Sequence, residues 1–160
     1  MFPITFLSFL LLWSFSGKEN PEPASRTEIV KKSISPDTLG ASIFNYVNKD
    51  RKAKGLPPLH LNADESAIAT RHSRDMASGA VPFGHEGAAA REKAIRSKLG
   101  SLLAFGENVA YGQQSAKEVV GNWLLSQQHK ENIEGNFTQT GIGWAKDANG
   151  VLYFTEIFTR

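Results

Sequence analysis

GENVAYG at 106–112 and HKENIEGNFTQTGIGWA at 129–145 decide how this chain is read. They set a carboxylate, Glu107, and an imidazole, His129, among glycines and the amides of Asn108, Asn132 and Asn136. The sequence around them is patterned as ordinary core. Glycine lets backbones approach closely, and histidine with glutamate is a pairing that binds metals or moves protons. The two segments therefore imply a polar cleft.

From the end of this stretch onward the pattern alternates. Thr140, Ile142 and Trp144 fall on one side, and Val151, Tyr153, Thr155 and Ile157 follow the Asn149-Gly150 dipeptide, a strong hairpin signal. N-terminal to it, LAFGENVAY at 103–111 predicts a short strand entering the core. Between them Ser115 caps a helix whose buried face is Val119, Val120, Trp123, Leu124 and Gln127.

Further upstream the period becomes helical. Leu39, Ile43, Tyr46 and Val47 make one apolar stripe, ended by the polar run NKDRKAKG and Gly55. Pro57 and Pro58 force an extended turn. A second helix is predicted over 62–78, with Asn62 as its cap and Ile68, His72 and Met76 on one face. AAAREKAIRSKL at 88–99 predicts a third. Helices first and an antiparallel hairpin last make an α+β layered domain.

The 160 residues suit one globular domain, over 37–160, plus an appendage. Residues 1–17, MFPITFLSFLLLWSFSG, carry no charged side chain. This apolar run is shorter than the roughly 20 residues that span a bilayer, and it breaks into Ser14, Ser16 and Gly17. It reads as a secretory signal peptide, or as a membrane anchor if uncut. The polar, proline-bearing segment 18–36 reads as a flexible linker. Export implies an oxidising compartment, yet the chain has no cysteine, so its core closes without disulfides. That also excludes a cysteine nucleophile and a zinc–thiolate site. Net charge is +2 with both signs interspersed, and no basic stripe carries aromatic platforms, which argues against nucleic acid as a partner.

Of the four histidines, His60 sits in the proline turn as a surface residue. His72 lies on an apolar stripe, where a buried, hydrogen-bonded imidazole is commoner than a ligand. His85 follows Phe83-Gly84 in a loop where packing gives little reason for an imidazole. His129 comes just after the fourth helix, whose terminal carbonyls would favour its protonated form. Glu107 interrupts an apolar run and needs a histidine or arginine partner, either in a site or as a structural ion pair. Glu156, in FTEIF, interrupts another. HExxH, GxSxG and GxxxxGK[ST] are all missing. Asn136-Phe137-Thr138 matches the glycosylation sequon.

Taken in order, these segments resemble the CAP superfamily of cysteine-rich secretory, antigen 5 and pathogenesis-related 1 proteins, and most closely its bacterial SCP-like extracellular branch. The likeness runs over 40–158. It rests on FGH at 83–85, GEN at 106–108, then W-x₅-H-x₂-N-I from Trp123 to Ile133, then NFT-x₂-G-I-G from Asn136. The resemblance implies a three-layer α-β-α sandwich with a central antiparallel sheet. It also implies a cleft holding two histidines and two glutamates, of which His85 and Glu107 match by position. Ser126 and Asn136 stand where many eukaryotic members have the second glutamate and second histidine, and His129 is expected to face the same cavity.

The reading that follows is a secreted or cell-envelope binding module. Its cleft candidates are His85, Glu107, His129, Asn136, Glu156 and His72. Its ligand is a small molecule, lipid or peptide, or Zn²⁺ held by His85, Glu107 and His129 with an open fourth position. The chain is expected to be a monomer. The alternatives are an extracellular peptidase-like hydrolase using Glu107 with His85 or His129, and a structural surface-interaction domain.

Overall fold

The computed structural model describes residues 36–160. The signal at 1–17 lies outside the described residues, as does the linker at 18–36 except Pro36, which opens the first helix. In chain order the elements are α1 (Pro36–Ala53), β1 (His60–Leu61), α2 (Ala63–Ala77), α3 (Ala88–Leu99), β2 (Phe105–Tyr111), α4 (Ala116–Leu125), α5 (Gln127–Ile133), β3 (Gln139–Lys146) and β4 (Leu152–Thr159). The strands form one sheet in the order β1-β3-β4-β2. Its three long strands are antiparallel, and the two-residue β1 joins β3 in parallel. Helix α2 covers one face, while α1, α4 and α5 pack on the other. This is the α-β-α sandwich.

Each layer follows from spacing. Leu39, Ile43 and Val47 recur every four residues along α1 and are buried with Val119, Val120 and Trp123 of α4 against Phe154 and Phe158 of β4. The same four-residue step continues to Arg51, which is also buried. Its Nε donates to the Pro57 carbonyl at 2.9 Å, and its Nη1 to those of Ile133 and Gly135 at 2.8 Å. The run that reads as the solvated end of α1 thus contains a buried strut. Gln127 is exposed rather than core, because extended backbone at Ser126 breaks the helix and starts α5.

Asn62 caps α2 as expected, its side chain accepting from the Asp64 and Glu65 amides. The helix lies directly on Gly141 and Gly143 of β3. A methyl group added at Gly141 would collide with Glu65, and one at Gly143 with the backbone of Ala69 and Thr70. Ser73 Oγ then bonds the Gly143 carbonyl at 3.2 Å and Thr155 Oγ1 at 2.9 Å.

Two carboxyl groups are sealed between layers. Glu65 of α2 accepts from Thr159 Oγ1 at 2.7 Å, and Glu156 of β4 from Thr140 Oγ1 at 3.0 Å. Burial pushes the Glu65 carboxyl up to about 7, against the Thr159 hydrogen bond. It pushes that of Glu156 up to about 8, against the Thr140 hydrogen bond and the charge of Arg51.

Gly143→Ala should lower the unfolding free energy by about 3 kcal/mol or more in urea titration, since backbone rather than a flexible side chain must move. The folded chain keeps protons on Glu65 and Glu156 that the unfolded chain, with carboxyls near 4.5, has already released. Stability therefore falls as pH rises through this range. Histidines whose folded values are lowered act only below about 6.5. Between pH 6.5 and 8 the loss should be about 2 kcal/mol, and Glu65→Gln with Glu156→Gln should flatten it.

Candidate functional site

Strand β2 is a sheet edge, and its alternation sends GEN in two directions. Glu107 stands opposite Ile157 and faces the α2–α3 side, while Asn108 stands opposite Glu156 and faces α5. Gly106 lets Asn132 close in: a methyl there would lie 2.8 Å from Asn132 Oδ1. Asn132 Nδ2 donates to Asn108 Oδ1 at 2.8 Å and to the Glu107 carbonyl at 3.2 Å. Asn108 Nδ2 in turn donates to the His129 carbonyl at 3.0 Å. Trp123 Nε1 donates to the Val109 carbonyl at 3.2 Å. The GEN and W-x₅-H-x₂-N-I motifs are thus two halves of one seam between β2 and α4–α5.

His85 reaches the site on the loop between α2 and α3. His72, buried on α2, donates from Nε2 to the Gly84 carbonyl at 2.9 Å and holds that loop down. Burial, chiefly, lowers the His72 pKa, against the hydrogen bond to the Gly84 carbonyl, which favours the charged ring. His72 thus supports the site, and with Glu86, Gly87 and Arg91 it lines a hollow of about 360 Å³. His85 Nδ1 donates to Glu107 Oε1 at 2.9 Å, and its side chain is 52% exposed. Its Nε2 is left for a ligand.

The decisive neighbour is one that the sequence pattern leaves unnamed. Arg91, on the first turns of α3, grips Glu107 with Nε on Oε2 and Nη2 on Oε1, both at 2.7 Å. Its Nη1 donates to the Glu86 carbonyl at 2.8 Å. Glu107 therefore has both partners that its burial demands, a histidine and an arginine. The AAAREKAIRSKL pattern gives no hint of this role; the only signal is the unmet charge of Glu107 itself.

His129 follows α4 as expected but lies in the first turn of α5, a helix N-terminus that disfavours its charged form. Its pKa is lowered, first by burial and then by the charge of His85. His129 Nδ1 is buried and has no hydrogen-bond partner among the described residues.

Two candidates fall elsewhere. Glu156 is fully buried on the opposite sheet face from Glu107, because a one-residue offset in a strand reverses the side chain. Asn136 is exposed and lines a hollow with Arg51, Pro58 and His60, which none of His85, Glu107 and His129 lines. The zinc arrangement does not fit. Both Glu107 oxygens already accept hydrogen bonds, His85 Nδ1 is turned to the carboxylate, and among the described residues no three His, Asp or Glu side chains are grouped to hold a metal.

Phe83, two residues before His85 in the same loop, begins a rank of rings. Phe83 and Tyr111 lie 4.7 Å apart between centroids, and Tyr111 stacks on Tyr153 at 5.6 Å. Phe83 and Tyr111 are about half exposed, at 47% and 52%. A larger hollow of about 600 Å³, lined by Gly40, Leu61, Thr70, Arg74, Ile142 and Trp144, contains none of the cleft residues.

Residues 44–158 match the model of the CAP, or cysteine-rich secretory protein, family. The chain belongs to the CAP family. It is 29% identical over 133 residues to the uncharacterized protein YkwD of Bacillus subtilis, covering 79% of this chain and 51% of that protein. The chain thus spans about half the length of that curated relative. Among solved structures it resembles an extracellular protein containing an SCP domain from Bacillus anthracis, with a TM-score of 0.63 and 24% identity over 79% of this chain and 44% of that one. It also resembles an outer surface protein of Borrelia burgdorferi, with a TM-score of 0.62 and 20% identity over 74% and 89% of the two chains. These likenesses fix the fold. No helix among the described residues is long and apolar enough to cross a membrane.

Glu107→Gln should cost about 3 kcal/mol in chemical denaturation, since Arg91, only 12% exposed, keeps its charge and loses its partner. Pairing it with Arg91→Met should restore part of that loss, which a double-mutant cycle reads directly.

Proposed function

We propose that this chain is an extracytoplasmic binding module that captures a small molecule or peptide at His85, with the Phe83–Tyr111–Tyr153 rank supplying an apolar platform. The observation that carries this reading is the Arg91 fork on Glu107. A general base needs a free lone pair aimed at the proton it removes. Here both carboxylate oxygens are engaged, and no hydroxyl among the described residues is hydrogen-bonded to His85 or His129. Glu107 is thus held as a structural carboxylate, and among the described residues no hydroxyl is paired with the outward nitrogen of His85 as an activated nucleophile would be.

What it does have suits recognition. Glu107 fixes the His85 ring so that Nε2 faces outward as an acceptor, and the adjacent rings offer flat faces with phenolic hydroxyls at their edges. A ligand joining a hydrogen-bond donor to an apolar or ring-shaped body fits both parts. The extracellular and outer-surface proteins that share the fold, together with the apolar leader sequence, support placement outside the cytoplasm.

Screening a fragment and short-peptide library by ¹H–¹⁵N NMR tests this reading. Hits should shift the amides of Gly84, His85 and Tyr111, weaken at least tenfold in His85→Ala and Tyr111→Ala, and emerge chemically unchanged. Peptide turnover lost in Glu107→Gln would replace binding with hydrolysis, and hits confined to the Gly40–Trp144 hollow would move the site.

A further inference from the structure

We propose that Arg91 is a built-in cation, occupying the charge position beside Glu107 that a divalent metal would otherwise take, so that the cleft excludes such metals. The carboxylate sets the requirement. Glu107 is buried on an edge strand whose neighbours on that face are Ile157, Ile95 and Ala69, so it requires positive charge close by. Two histidines and a glutamate could meet that need through a metal. This chain meets it with a guanidinium fork.

Geometry makes the fork hard to displace. Oε1 accepts from both His85 Nδ1 and Arg91 Nη2, and Oε2 from Arg91 Nε. Planar two-point pairing of this kind is the strongest form of the arginine–carboxylate contact. The far side of the guanidinium is tied to the Glu86 carbonyl, and Gly87 leaves room for it, since a methyl there would lie 3.3 Å from Nη1. For a metal to take both carboxylate oxygens, Arg91 must give up both of its hydrogen bonds to them.

The imidazoles point the same way. His85 turns Nδ1 toward the carboxylate and only Nε2 toward solvent, so it cannot share a cation with Glu107 without flipping its ring. His129 offers one buried, unpartnered nitrogen, and a single donor does not make a metal site. Arg91 is therefore a positioning and specificity-determining residue. It orients Glu107 and His85 and sets which cations the cleft refuses. This role does not depend on which ligand the cleft binds, and a blank ligand screen leaves it standing.

Calorimetric titration of the chelator-stripped full chain with zinc chloride tests it. The unaltered protein should show no one-to-one uptake sensitive to His85→Ala. Arg91→Ala should gain a site at least tenfold tighter than any in the parent, and Arg91→Ala/His85→Ala should lose it again. Arg91→Lys, which keeps a cation at the carboxylate, should stay without zinc. One-to-one zinc binding by the unaltered protein, lost on His85→Ala, would overturn the proposal, as would a folded Arg91→Ala that gains nothing. Should Arg91→Ala not fold, the parent and Arg91→Lys titrations decide the matter: zinc refused by both upholds the proposal, and His85-dependent uptake by either defeats it.

Discussion

The contact of α2 with Gly141 and Gly143 of β3 sets the height of α2 over the sheet, and with it the loop that carries His85. Helix backbone rests on strand backbone there, with no side chain between them. A helix on a sheet normally stands off by the thickness of two side-chain layers. Removing one of them lowers α2 far enough for Ser73 to bond both Gly143 and Thr155, on β3 and β4. It also seats Glu65 within reach of Thr159. A shift of α2 would carry His72 with it, and with His72 the carbonyl of Gly84 and the loop that presents His85. The GIG sequence at 141–143 is therefore as much part of the site as the residues that line it.

The second constraint is the seam on the other side of β2. Three side-chain amide hydrogen bonds, two from Asn132 and one from Asn108, join the edge strand to α5, where a further strand would otherwise have paired. An exposed edge invites pairing with other chains, and a helix bonded across it is one way of blunting that hazard. The same bonds hold α5, and so His129, beside the edge. Strand end and cleft wall are one construction. This explains why the motif residues on the two segments make sense only together.

Much of this was legible in the sequence because it depends on period and punctuation. The α2 cap at Asn62, the α3 bounds, the Ser115 cap and the hairpin at Asn149-Gly150 all rest on local rules that the fold does not override. Two of the failures share one cause, which is that long polar side chains do not announce their partners. Arg51 continues the Leu39-Ile43-Val47 step, yet its burial depends on carbonyls more than 80 residues away. Arg91 looks like any solvated helix residue until the folded sheet brings Glu107 against it. Glu156 reads as a cleft candidate because face assignment turns on register, and register is a property of the assembled sheet. Gln127 was misplaced by a single residue, Ser126, whose extended backbone no propensity rule demanded.

The three buried glutamates show how the same side chain is put to different uses. Glu65 and Glu156 each receive one threonine hydroxyl, and burial favours their neutral forms. A neutral carboxyl asks little of its surroundings, so these two can sit between layers, one on each face of the sheet. Glu107 instead receives a guanidinium and an imidazole while buried on the edge strand. Pairing a buried carboxylate in this way needs rigid donors, and the fold supplies them from α3 and from the loop pinned by His72. Those donors are then engaged and can serve nothing else. The rigidity that keeps the carboxylate in place is what commits Glu107 to its structural partners and leaves His85, with its side chain half exposed, as the member of this cluster that solvent reaches.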